Sequence, residues 1–128
     1  MSTLDIIDVS RTPYLDQRPG TAGLRKKVSV FTQTDYLEMF TQAVFTTLRL
    51  PIGARIVVGG DGRYFNDIAI QRLMAVAVAN GVQEIIVGQS GLLSTPAASH
   101  LIRQRQAAAG FILTASHNPG GPDGDFGL

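Results

Sequence analysis

The sequence predicts an α/β domain of three layers, α/β/α, built on a mainly parallel mixed sheet. Three observations carry that prediction. Short apolar runs that read as buried strands occur at Arg55–Gly60, Glu84–Gly88 and Phe111–Thr114. Their centres, Val57, Ile86 and Ile112, are 29 and 26 residues apart, with one helical pattern in each gap. Each run then gives way to a polar loop. Two consecutive strand–helix–strand units favour parallel strands joined by right-handed crossovers.

The elements follow in order. Residues 1–20, punctuated by Pro13 and Pro19, read as an irregular arm, and residues 21–128 as the domain. Thr21–Phe31 alternates, with Val28 and Val30 apolar between Lys27 and Ser29, which predicts a first strand. Thr34–Leu50 reads as a helix with Leu37, Phe40, Val44 and Leu48 on its buried face, Thr34 as cap, and Pro51 and Gly53 as stops. That first strand and helix add either a further unit or an antiparallel edge. Asn66 is expected to cap a helix over 67–79 that is apolar almost all round and so needs cover on more than one side. Asn80-Gly81 closes it. Thr95-Pro96 opens the next helix, with Thr95 as cap and Ala98, Leu101, Ile102, Arg105 and Ala109 on one face. Gly110 ends it.

Bulk composition narrows the function classes. A chain of 128 residues with 45% hydrophobic residues suits one globular domain. Eleven basic and ten acidic residues give a formal charge of +1, so no overall pull toward nucleic acid or an anionic membrane is expected. With no cysteine, disulfide scaffolds, thiolate nucleophiles and zinc–thiolate sites are excluded. The arm lacks the pattern of a secretory signal. The most apolar stretch, Ile68–Val78, is broken by Gln71 and Arg72. A cytoplasmic protein is the expectation.

In parallel sheets ligands bind at the carboxyl ends of the strands. Three loops should meet there: Gly60–Arg63, Gln89–Gly91, and the long loop Thr114–Gly127. The last holds four glycines and two prolines in fourteen residues, together with Ser116, His117, Asn118, Asp123 and Asp125. Ser116 is the nucleophile candidate, but a serine hydroxyl needs a base or a strongly activated acceptor. In extended backbone His117 would point away from its neighbour, so it serves as base only if the loop turns sharply there. No G-x-S-x-G elbow, P-loop or dinucleotide fingerprint is present. Phosphoryl chemistry fits better. A glycine-rich loop can cradle phosphate, and Thr21, Arg25 and Arg63 can add hydroxyl and guanidinium contacts. Asp61 and Arg63 are also expected to pair with each other or cap their turn. Asp123 and Asp125 read as turn residues, and His100 as a helix-surface residue.

Thr114–Gly127 resembles the phosphoserine loop of the α-D-phosphohexomutases, with the phosphoglucomutases as the best-fitting branch. Pro19–Val28, Val57–Arg63 and Gly88–Pro96 resemble further family segments in the same order. The resemblance implies reversible exchange of glucose 1-phosphate and glucose 6-phosphate. Ser116 would carry the phosphoryl group, and bound glucose 1,6-bisphosphate would be the intermediate. Mg²⁺ would touch the serine phosphate. His117 would position or protonate substrate oxygens, and Thr21, Arg25 and Asn118 would contact phosphate or sugar. A mutase for mannose or glucosamine phosphate, or a non-catalytic interaction module, are the alternatives.

The family pattern also sets expectations about what this sequence lacks. Ala22 stands where the family commonly has serine. Members have four domains, and this chain is expected to be an incomplete first one. The aspartate-rich metal segment lies outside it, and a general-base lysine would follow Leu128. The 128 residues alone are therefore expected to show no mutase turnover. An uncovered sheet edge would favour self-association.

Overall fold

In the computed structural model, which describes residues 5–128, the chain forms nine elements. They are β1 (Arg25–Lys27), α1 (Val28–Phe31), α2 (Tyr36–Leu48), β2 (Arg55–Gly60), α3 (Asn66–Ala79), β3 (Glu84–Leu92), α4 (Thr95–Gln104), β4 (Ala109–Leu113) and β5 (Asp125–Gly127). Residues 1–4 of the expected arm lie outside the described residues.

The central sheet has the order β3-β2-β4, and all its strands are parallel. Val57 pairs with Ile86 on one side and Gly110 on the other. Because β3 and β4 flank β2 on opposite sides, right-handed crossovers carry α3 and α4 to opposite faces. Ile56 and Val58 point into the main core with Leu37, Phe40, Ala69 and Leu73 from α2 and α3. Val57, fully buried but outside that cluster, faces the α4 side. There α4 packs on β2 and β4, and Ile102 comes so close to Gly110 that a Cβ on it would stand 2.6 Å from Cδ1. Three layers result.

Several boundaries differ from the sequence expectation, each for a local reason. The strand expected over Thr21–Phe31 stops at Lys27, and Val28–Phe31 makes a helical turn. Three-residue spacing buries Val28 and Phe31 together, whereas alternation would have buried Val30, which is only half-buried. The sheet is not mixed: β1 pairs antiparallel with β5 in a separate two-stranded ribbon. Helix α2 is preceded by Asp35 in the left-handed region, not capped by Thr34, and Asp35 pairs with Arg11. Its buried row runs through Leu37, Phe40, Thr41 and Phe45, which leaves Leu48 46% exposed. Asn66 is the first residue of α3 rather than its cap, because its side chain is turned to the Gly91 carbonyl. Helix α3 packs on both α2 and the sheet, so it has cover from more than one element as expected, while Ile68 and Val78 remain exposed.

β3 extends past Gly88 through a tight turn in which Ser90 and Gly91 have φ of 56° and 76°. Ser94, not Thr95, caps α4: its Oγ accepts from Ala97 N–H at 3.2 Å. That helix ends at Gln104, so Arg105 is its C-cap and Ala109 lies in β4. β4 begins two residues earlier than the expected Phe111 and ends at Leu113 rather than Thr114. As expected, β2 spans Arg55–Gly60, and Gly81 follows α3 with φ of 86°.

An aromatic chain ties the β5 end of the Ser116 loop to the core. Phe126 meets Phe31 and Phe65 edge to face, with ring centroids 5.0 and 5.2 Å apart, and Phe31 in turn meets Tyr36. Such pairs add about 0.5–1.5 kcal/mol each beyond the area they bury.

Candidate active site

The loops after β2 and β4 meet at the carboxyl edge of the sheet, with the β3 loop beside them through the Asn66–Gly91 contact. Asp61 starts the β2 loop with its N–H on the Leu113 carbonyl, 3.1 Å away. Its carboxylate accepts from the Thr114 hydroxyl at 2.7 Å and from Arg63 Nε–H at 3.0 Å. Burial works to raise the Asp61 pKa, but the hydrogen bonds from Arg63 and Thr114 outweigh it and hold the carboxyl below its ordinary value. The Asp61–Arg63 pair expected from sequence is present, with Arg63 Nη2 2.9 Å from Asp61 Oδ2.

Arg63 does more than pair. Nη2–H donates to the Ser116 carbonyl at 2.7 Å. Nη1–H groups donate to the carbonyls of Asn118 at 3.3 Å and Asp125 at 3.1 Å. With Nε–H on Asp61, four of the five guanidinium donors make hydrogen bonds, and Nη2 also lies in the ion pair with Asp61. Its side chain is only 10% exposed. Most of the guanidinium is thus turned to Asp61 and the Ser116 loop, which leaves one Nη2–H for any phosphate contact of the kind expected.

Ser116 is exposed and sits in the left-handed region with φ of 57°. That conformation costs a non-glycine residue about 1 kcal/mol and persists only where neighbours enforce it. Here they do: Ser116 N–H donates to Thr114 Oγ at 3.0 Å while Arg63 grips the Ser116 carbonyl. The sharp turn also changes the expected relation to His117, whose Nδ1 lies 3.2 Å from Ser116 Oγ. The histidine that extended backbone would turn away is in hydrogen-bonding contact with the hydroxyl. Asn118 closes the turn with its N–H on the Ala115 carbonyl at 3.1 Å.

The rest of the loop is compact. Gly124 N–H donates to the Gly121 carbonyl, Asp125 N–H to the Pro119 carbonyl, and Val28 N–H to the Gly124 carbonyl, at 3.0, 2.7 and 2.9 Å. Asp125 also pairs with Lys27 at 3.1 Å. Asp123 is exposed, as is His100. Among the described residues, no three or more His, Asp or Glu side chains are gathered to hold a metal ion.

Thr21 and Arg25 reach this edge through the β1–β5 ribbon. Arg25 pairs with Gly127, and Leu24 and Leu128 exchange backbone hydrogen bonds of 3.0 Å. A Cβ on Gly127 would stand 2.2 Å from the Thr114 carbonyl oxygen and 3.0 Å from Arg25 Cγ, so the glycine lets the arginine stem lie against the root of the Ser116 loop. Arg25 Nε is buried without a partner. Thr21 is exposed in the turn between Gly20 and Gly23, and no hydrogen bond joins it to Ser116 among the described residues. Ser116, His117 and Asn118 are thus brought together, with Arg25 beside the loop root and Thr21 farther along the ribbon.

No role for Thr114, and none for Arg63 on the loop carbonyls, was expected from the sequence. One signal pointed the right way: a single carboxylate cannot occupy all five guanidinium donors, so an arginine two residues after Asp61 has hydrogen bonds left to place.

The chain is similar in sequence and fold to known proteins. The sequence model described as "Phosphoglucomutase/phosphomannomutase, alpha/beta/alpha domain I" matches residues 16–126. A phosphoglucomutase of Schizosaccharomyces pombe is 60% identical over 91% of this chain and 21% of its own length. One from Emericella nidulans is 54% identical over 98% of this chain and 23% of its own. A Mesembryanthemum crystallinum protein named "Phosphoglucomutase, cytoplasmic" is 52% identical over all of this chain and 23% of its own. The crystal structure of the Paramecium exocytosis-sensitive phosphoprotein pp63/parafusin, in its open form, superposes with a TM-score of 0.85. It is 54% identical and covers 91% of this chain and 22% of that one. The chain therefore spans between a fifth and a quarter of the length of these relatives.

Proposed function

The chain belongs to the phosphoglucomutase/phosphomannomutase family, and we propose that it supplies the phosphoryl-carrying serine of a phosphoglucomutase. Residues 21–128 are then part of the first domain. The observation that carries this reading is Ser116 itself, exposed at the ligand edge of the sheet and fixed in a left-handed turn by hydrogen bonds to its own N–H and C=O. The reaction is exchange between glucose 1-phosphate and glucose 6-phosphate. The O–P bond at Ser116 breaks as a sugar hydroxyl takes the phosphoryl group, which leaves free Ser116 and glucose 1,6-bisphosphate. The bisphosphate then returns its other phosphoryl group to Ser116.

Each transfer needs a proton at Ser116 Oγ when the serine leaves and its removal when the serine attacks. The 3.2 Å contact supports His117 Nδ1 as the group that holds that proton or passes it to substrate oxygens. The unpartnered Nε supports Arg25 as a phosphate contact. Asn118 and Thr21 are assigned to sugar or phosphate by their place in the family pattern.

Among the described residues no carboxylate cluster offers Mg²⁺ a site and Asp61 is committed to Arg63 and Thr114, so the phosphate on Ser116 is where the ion would touch this chain. When bound, the ion offsets phosphoryl charge. Its carboxylate ligands come from outside these residues. Cytoplasmic location is supported by the name of the Mesembryanthemum relative. The open edge of β3 supports self-association of the chain when it stands alone.

The test is conversion of glucose 1-phosphate by the full-length protein that carries this chain, with phosphate found on Ser116 and both lost in Ser116→Ala. Turnover that survives the substitution would refute the assignment.

A further inference from the structure

Four residues of two loops form a closed ring. Ser116 N–H donates to Thr114 Oγ at 3.0 Å, and the Thr114 hydroxyl donates to Asp61 at 2.7 Å. Asp61 binds Arg63 at 2.9–3.2 Å, and Arg63 returns to the Ser116 carbonyl at 2.7 Å. We propose that Arg63, Asp61 and Thr114 are positioning residues for Ser116: the ring holds the serine in the turn that presents Oγ to the incoming sugar, and it sets the rate of phosphoryl transfer rather than sugar affinity. The proposal rests on Ser116 being the phosphoryl carrier.

Three features support a positioning role over a bland surface ion pair. First, both ends of the serine's peptide unit are held, and no other described residue bonds them. Second, Arg63 reaches two more carbonyls of the same loop, at Asn118 and Asp125, so its planar fork fixes the loop at three places. Third, Ser116 is a non-glycine residue at φ 57°, and without these bonds relaxation to an ordinary backbone angle would swing Oγ away. Displacements on the order of 1 Å can cost about 100-fold in a reaction that depends on alignment. The ring is also charge-balanced: Arg63 neutralises Asp61, so the loop meets the doubly charged phosphoserine without a bare carboxylate beneath it.

The test uses Thr114→Val, Thr114→Ser and Arg63→Lys in the full-length protein carrying this chain, beside wild type and Ser116→Ala. Valine keeps the shape but neither accepts from Ser116 nor donates to Asp61, whereas serine keeps both bonds. Thr114→Val should lower kcat about tenfold or more with KM for glucose 1-phosphate within about twofold of wild type, and Thr114→Ser should restore most of it. Arg63→Lys, which keeps charge but not the fork, should behave like the valine variant. Hydrogen exchange at the Ser116 amide, read in the same proteins, should speed up in Thr114→Val and not in Thr114→Ser. Equal kcat in the valine and serine variants, or a loss confined to KM, would overturn the proposal. If wild type itself shows no turnover, the functional reading falls. The ring is then judged on amide exchange alone, where unchanged protection in Thr114→Val would overturn it.

Discussion

Replacing Gly124 by alanine separates loop packing from every other contribution, because the glycine has no unusual backbone angle to lose. A Cβ built there stands 2.4 Å from the carbonyl oxygens of both Pro119 and Gly120. Ordinary contact begins about 1 Å farther out, and both obstacles are backbone, which cannot rotate aside as a side chain can. Overpacking of this kind costs about 1–3 kcal/mol, and two backbone contacts place this case near the upper half, at about 2 kcal/mol. For a domain of this size each kcal/mol lowers Tm by roughly 4 °C, so a drop of about 8 °C is expected. Gly20→Ala is the matched control: nothing lies within 4 Å of its added Cβ, and Tm should move by little. Thermal unfolding of the two variants followed by circular dichroism is the assay. Relief of the clash should also disturb the Asp125 N–H bond to Pro119 and the Gly124 carbonyl's bond to Val28. If Gly124→Ala unfolds within about 2 °C of Gly20→Ala, the close packing of the loop is refuted.

Further predictions concern titration and capping. Asp61 has its pKa lowered in the fold, so its contribution is present above the unfolded carboxyl value and is lost as pH falls through the folded one. The stability advantage of wild type over Asp61→Asn should therefore be full at neutral pH and shrink below about pH 4, as urea unfolding at stepped pH would show. Tyr36 runs the other way: burial, then the charge of Asp16, pushes its pKa up to about 12. Folding favours the neutral phenol, so stability should decline as pH rises past about 10. Of the three tyrosines, one should resist ionisation in a spectrophotometric titration until the chain unfolds. Ser94→Ala should cost about 1 kcal/mol through loss of the α4 cap, whereas Thr95→Ala should cost less.

What the sequence made legible follows from periodicity and chain topology. The limits of β2, the parallel pairing of three strands and the gathering of the Asp61 and Ser116 loops at one edge rest on apolar runs, their spacing and the handedness of crossovers. Those are local or generic rules. Val28–Phe31 defeated the same logic because four residues fit a period of two as well as a period of three, and only contact with Phe126 and Tyr36 selects the helical turn. Ser94 and Thr95 are both acceptable caps, and the choice depends on where the chain leaves Leu93, which is bonded to Gly60. Composition did not reveal the full role of Arg63, since its carbonyl partners lie 53 to 62 residues away. The same long-range grip puts Ser116 in the left-handed region and brings His117 Nδ1 to its hydroxyl, which neighbour-to-neighbour reasoning from extended backbone points away from.

Phosphate on Ser116 is the most direct measure of the proposed chemistry. Intact-mass and peptide mass spectrometry of the full-length protein carrying this chain, taken before and after incubation with glucose 1-phosphate, should find a phosphoryl group on Ser116. Its occupancy should fall and recover as glucose 6-phosphate forms. An unmodified Ser116 throughout a reaction that still yields glucose 6-phosphate would contradict its role as the carrier.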